Sequence, residues 1–166
     1  VSASVVPLFE QEIQESLFRL LVAMLAGMAI GLNRDLRNKP VGMRTLGLVS
    51  LGSALAVLSC TGYGSLHYEQ DAVSRVIQGI LTGIGFLGAG VILHDKSGMR
   101  IHGLTTAATV WMAAGLGVAA GLGAWAITIA GSGLTLVLLV LGGPLELRLE
   151  RLIKGRDAST KEPLDD

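Results

Sequence analysis

"GLTTAATVWMAAGLGVAAGLGAWAITIAGSGLTLVLLVLGGPL" runs from Gly103 to Leu145 without one Asp, Glu, Lys, Arg or His. As a single helix its 43 residues would reach roughly 65 Å at about 1.5 Å per residue, twice the bilayer hydrocarbon core of about 30 Å. The run therefore reads as two membrane spans, with Gly121-Leu122-Gly123 as the turn between them. Composition agrees: only 16% of the 166 residues are charged, against about a quarter in soluble domains. The expected fold is all-α and polytopic.

Working outward, five spans are expected: about Leu17–Leu32, Thr45–Tyr63, Val76–Leu93, Leu104–Ala120 and Leu122–Leu141. The first is the weakest, because its uncharged part is only Leu20–Leu32 and Arg19 must snorkel to the headgroups. Three segments (33–44, 94–102 and the tail after span five) hold eleven of the thirteen Lys and Arg residues. Five spans place all three on one side, and the positive-inside rule makes it cytoplasmic. The expectation is a multi-pass bacterial inner-membrane protein, N-terminus out and C-terminus in. Residues 1–16 form an extracytoplasmic segment without the basic region of a cleavable signal peptide. Residues 17–141 form the membrane domain, 142–154 an amphipathic cytoplasmic helix, and 155–166 a disordered tail that begins at a helix-stopping Gly155.

Some function classes fall away early. Zero net charge leaves no electrostatic footprint for nucleic acid. A single cysteine, Cys60, excludes an internal disulfide and reads as a small apolar helix residue.

Two basic elbows interrupt the apolar chain. "VGMRTLGL" (Val41–Leu48) and "SGMRIHGL" (Ser97–Leu104) share Gly, Met, Arg, Gly and Leu at an offset of 56 residues, and Gly27 matches Gly83 at the same offset. This predicts a parallel repeat of two helical hairpins. Lys and Arg alone would satisfy topology and contact lipid phosphates. The second elbow adds His94, Asp95 and His102 to Arg100, with Thr105 and Thr106 entering span four. In the first, Asp35 sits among Arg34, Lys39 and Arg44 and can pair with Arg34, Lys39 or Arg100. These ten residues are the candidate binding set. Arg44 and Arg100 are the pair backed for holding an anionic group, with Asp35 and Asp95 orienting them. No compact spacing of ligands supports a metal site, so no metal, cofactor or catalytic residue is expected. Small residues four apart mark helix packing faces: Gly27 and Gly31 on span one, Gly79 and Gly83 on span three, Gly117 and Gly121 on span four.

"GLNRDLRNKPVGMRTLGLVSLGSAL" (Gly31–Leu55), "GIGFLGAGVIL" (Gly83–Leu93) and "GLTTAATVWMAAGLGVAAGLG" (Gly103–Gly123) resemble the signatures of the MgtC/SapB family of bacterial inner-membrane proteins. The resemblance covers about Leu17–Leu141. It implies a five-span membrane domain linked to growth in low magnesium and stress adaptation. It also implies control of another membrane protein, notably the proton-translocating ATP synthase. A direct magnesium transport role has also been proposed for the family. Departures are Asn33, where the family often has Glu, and Leu46, where it often has a polar residue. Thr105 and Met112 stand where the virulence branch has Asn and Cys. Members of that branch carry an ACT-like C-terminal domain, whereas 25 residues follow span five here.

A regulatory or partner-binding membrane protein is the favoured expectation, with a transporter or channel for a divalent cation as the alternative. Magnesium prefers carboxylate oxygens, and no span carries an acid at mid-membrane depth. Expected partners are the lipid bilayer, another membrane protein and a second copy of the chain.

Overall fold

Five helices and one minimal β-ladder, in a computed structural model, describe residues 5–60, 70–94 and 101–159. In chain order these are α1 (Val5–Leu36), α2 (Met43–Leu58), α3 (Gln70–Gly90), β1 (Leu93–His94), β2 (Ile101–His102), α4 (Leu104–Gly121) and α5 (Trp125–Ser159). Four helices contain segments long and apolar enough to cross a membrane: Glu10–Leu36, Asp71–Gly90, Leu104–Gly121 and Trp125–Leu145. The fifth, α2, has 16 residues and reaches only about 24 Å.

Several expected boundaries move. The first helix begins at Val5 rather than Leu17, so the segment read as an N-terminal extension is largely the start of α1. Gly155 does not stop α5, which runs on to Ser159, because a single glycine inside a helix costs only about 1 kcal/mol. The Gly121-Leu122-Gly123 turn is where it was expected. There Gly123 takes φ 73°, its N–H donates to the Ala120 carbonyl, and the Ala124 N–H donates to Ala119. That pairing is a Schellman motif, which needs a residue in the left-handed region.

The centre of the molecule is α1, α2 and α4. Ala23, Gly27, Ile30 and Gly31 follow helical spacing along α1 and are buried. A Cβ added at Gly27 would strike the Leu46 carbonyl and Ser50 of α2; at Gly117 it would strike the Ser50 carbonyl; at Gly121 it would meet Ala54 at 3.0 Å. Gly31 lies equally close to the backbone of Met43. Ser50 sits where the three helices meet, and its hydroxyl donates to the Ala23 carbonyl at 2.6 Å. Without a hydrophobic drive in lipid, such close backbone approach is what holds helices together. Ile30, Leu46, Val110, Ala113 and Leu116 form the buried apolar cluster beside it.

Gly79 and Gly83 correct the expectation. A Cβ at either would meet nothing within 4 Å. Helix α3 turns Val73, Ile84 and Gly88 toward its neighbours. At 100° per residue this leaves Gly79, Gly83 and the 82%-exposed Phe86 on the outer face. Nor do the two hairpins pack as equivalents. Gly27 is wedged against α2 while its counterpart Gly83 is open, and Gly47 lies inside α2 while its counterpart Gly103 precedes α4 at φ 93°. α1 packs along α4, whereas the corresponding pair, α3 and α2, barely touch.

Candidate functional site

The first elbow and the start of α4 lie together at one end of the helix bundle. The elbow begins where α1 stops. Asn38 adopts φ 53°, its N–H donates to the Asp35 carbonyl at 3.0 Å, and the Lys39 N–H donates to Arg34 at 3.0 Å. This is a second Schellman motif, with Asn in the left-handed position and Pro40 two residues beyond. Val41 is also at positive φ (63°), a costly conformation for a β-branched residue.

Folding back this way brings the start of α2 to Asp35. Its Oδ2 accepts from the Met43 N–H at 2.8 Å, and a Cβ at Gly42 would overlap the same carboxylate. Asp35 therefore caps α2, where a negative charge also meets the positive end of the helix dipole. Among the described residues Asp35 makes no ion pair with Arg34 or Lys39, and Arg100, the third partner expected for it, lies outside them.

Arg34 follows Ile30 by one turn on the inward face of α1 and is 5% exposed. Its Nη2 donates to Thr106 Oγ1 across the α1–α4 junction. Thr106 precedes Val110 by one turn on the buried face of α4, and its carbonyl accepts from the Thr109 hydroxyl at 2.7 Å. The Arg34 Nε and the Asn33 Oδ1 are both buried without a hydrogen-bond partner. Around this junction Lys39 and Arg44 are exposed, and the exposed Arg37 donates to the Val140 carbonyl of α5 at 3.2 Å. Thr105 is exposed.

The candidate set thus divides. Arg34 and Thr106 are in contact, Asp35 belongs to the α2 cap, and Lys39, Arg44 and Thr105 face outward. His94 and His102 belong to the β-ladder, where His94 pairs with Ile101 and Leu93 with His102. Asp95 and Arg100 lie outside the described residues, and with them the proposed Arg44–Arg100 unit. Among the described residues no three His, Cys, Asp or Glu side chains come together as metal ligands would.

Asn33 was not among the candidates; its place beside an inward-facing arginine was the available signal. At the opposite end Arg19 does not simply snorkel. Its Nε donates to Glu15 at 2.8 Å and its Nη1 to the Gly121 carbonyl at 3.1 Å, at the negative end of the α4 dipole. Phe18 and Trp125 meet edge to face beside it, with ring centroids 5.2 Å apart.

Residues 20–148 match the model of the MgtC family. The chain belongs to this family. It is 47% identical over 130 residues to Protein SrpB of Synechococcus elongatus, an alignment covering 74% of this chain and 71% of SrpB. It is 46% identical over 107 residues to Protein MgtC of Salmonella typhimurium, covering 64% of this chain but only 43% of MgtC. Against YhiD of Escherichia coli K12, named as a candidate magnesium transporter, identity is 40% over 139 residues, covering 81% of this chain and 64% of YhiD. No solved structure matches. With its apolar helices, this MgtC-family chain is an integral membrane protein.

Proposed function

We propose that this MgtC-family protein resides in the bacterial inner membrane and acts as a regulator there. It binds a partner membrane protein during adaptation to magnesium limitation or related stress. The magnesium link rests on the name of YhiD and the family resemblance. One observation supports regulation over transport: among the described residues, the charged side chain buried at the elbow end is a cation. Arg34 is held by a threonine hydroxyl, and no described carboxylate pairs with it. Magnesium binds through hard oxygen ligands, usually carboxylates. The elbow end is cytoplasmic by the positive-inside rule.

The test is affinity capture of the tagged protein from its native membrane in mild detergent, followed by mass spectrometry. A specific partner in stoichiometric amount is expected, and the family resemblance names the ATP synthase as the first to look for. Recovery of no partner, together with magnesium uptake by proteoliposomes, overturns the reading. Transport is the second reading, favoured by the name of YhiD.

A further inference from the structure

We propose that Arg34 anchors a binding site for a phosphate-type oxyanion where the end of α1 meets the start of α4. A guanidinium carries five N–H donors, and burial makes each unused one costly. Arg34 is nine-tenths and more buried, its one hydrogen bond goes to Thr106, and its Nε has no partner. A neutral hydroxyl orients this cation but does not neutralise it, and a buried charge left without a counter-charge is strongly destabilising.

The start of α4 is the second half of the site. Its N-cap, Gly103, offers no side-chain cap, so the first-turn N–H groups of Leu104, Thr105 and Thr106 remain for an incoming acceptor. Helix N-termini favour anions through these donors and the dipole. Two helices start at this end of the bundle. The α2 terminus is satisfied by the Asp35 carboxylate, whereas the α4 terminus meets the Arg34 guanidinium, which donates to Thr106 and calls for negative charge. The planar fork of an arginine suits the tetrahedral oxygens of phosphate.

Depth fits as well. Arg34 lies two residues from the end of the Glu10–Leu36 span, at the level where lipid headgroups begin, and Lys39 and Arg44 of the elbow that follows are exposed. A lipid phosphodiester and a free phosphate present the same chemistry here. The site draws on the same buried Arg34 charge as the regulatory reading, and a bound oxyanion would offset that charge, so its binding is tested apart from ion flux.

The experiment uses the full chain in dodecyl maltoside, which contains no phosphate. One arm titrates inorganic phosphate by equilibrium dialysis; the other measures retention of phosphatidylglycerol by native mass spectrometry. Saturable binding in at least one arm is expected. The phosphate arm alone identifies a free anion, and the lipid arm alone identifies a headgroup. Arg34→Gln should weaken binding about tenfold or more, the loss of a charge-assisted hydrogen bond, and Arg34→Lys should not restore it. Arg75→Gln removes the same charge from an exposed position on α3 and should leave binding within about twofold. If Arg34→Gln does not fold, Thr106→Ala decides: it must weaken binding while Arg75→Gln does not. No binding by the wild type in either arm overturns the proposal. So does undiminished binding by a folded Arg34→Gln, or equal loss in the Arg75→Gln control.

Discussion

Arg34 and Thr106 join α1 to α4 through one buried, charge-assisted hydrogen bond. Thr106→Val keeps the shape but leaves the guanidinium without its acceptor, at a cost of about 1–3 kcal/mol. Thr105→Val, on the exposed neighbour, should stay within about 0.5 kcal/mol. Unfolding by a denaturing detergent, followed by circular dichroism, measures both; equal costs contradict the assignment. Asp35→Ala removes the α2 cap and should cost about 0.5–2 kcal/mol, with Asp35→Asn costing less, because an amide oxygen still accepts from Met43. A carboxylate that oriented arginines would instead be affected as strongly by Asn as by Ala. At this scale the sequence was partly legible. The spacing Ala23, Gly27, Ile30, Arg34 puts the arginine on the buried face, and the GMR motif drew attention to Arg44 instead. The Asp35 cap was hidden, since it depends on Asn38 and Val41 taking positive φ, which no periodicity reveals.

Small residues four apart were a correct sign of close helix approach on α1 and α4 and a false one on α3. The pattern states that a face is narrow, not that anything fills it. Gly27 and Gly117 face carbonyls of α2, while Gly83 faces open space. Gly117→Leu should therefore abolish or severely disrupt the folded monomer, and Gly83→Leu should leave it intact. Gly83→Ala should stabilise by up to about 1 kcal/mol, since it adds helix propensity without a clash. Thermal unfolding in detergent with size-exclusion profiles separates these outcomes, and a Gly83→Leu variant as damaged as Gly117→Leu would show α3 to be packed on that face. Helix number and type were readable from hydropathy. Their unequal packing was not, because repeated motifs at Gly42–Leu48 and Gly98–Leu104 describe local sequence, whereas neighbours are chosen by the whole set of helix faces.

At the scale of the whole molecule, α1 carries Glu10 at one end of its apolar span and Asn38 just beyond the other. By the positive-inside rule Asn38 should lie in the cytoplasm and Glu10 outside. In a Cys60→Ala background, an impermeant thiol reagent applied to intact cells should label a cysteine at position 10 and spare one at position 38. The reverse result would invert the molecule. The central claim concerns what crosses it. Described residues bury a guanidinium at the elbow end, and on the proposed regulatory reading the protein should not conduct magnesium. The direct measurement is magnesium entry into proteoliposomes of the purified full chain, read by an entrapped magnesium-sensitive dye and calibrated with an ionophore. Uptake indistinguishable from empty vesicles, with and without a membrane potential, is the predicted result. Saturable, protein-dependent uptake would contradict the account.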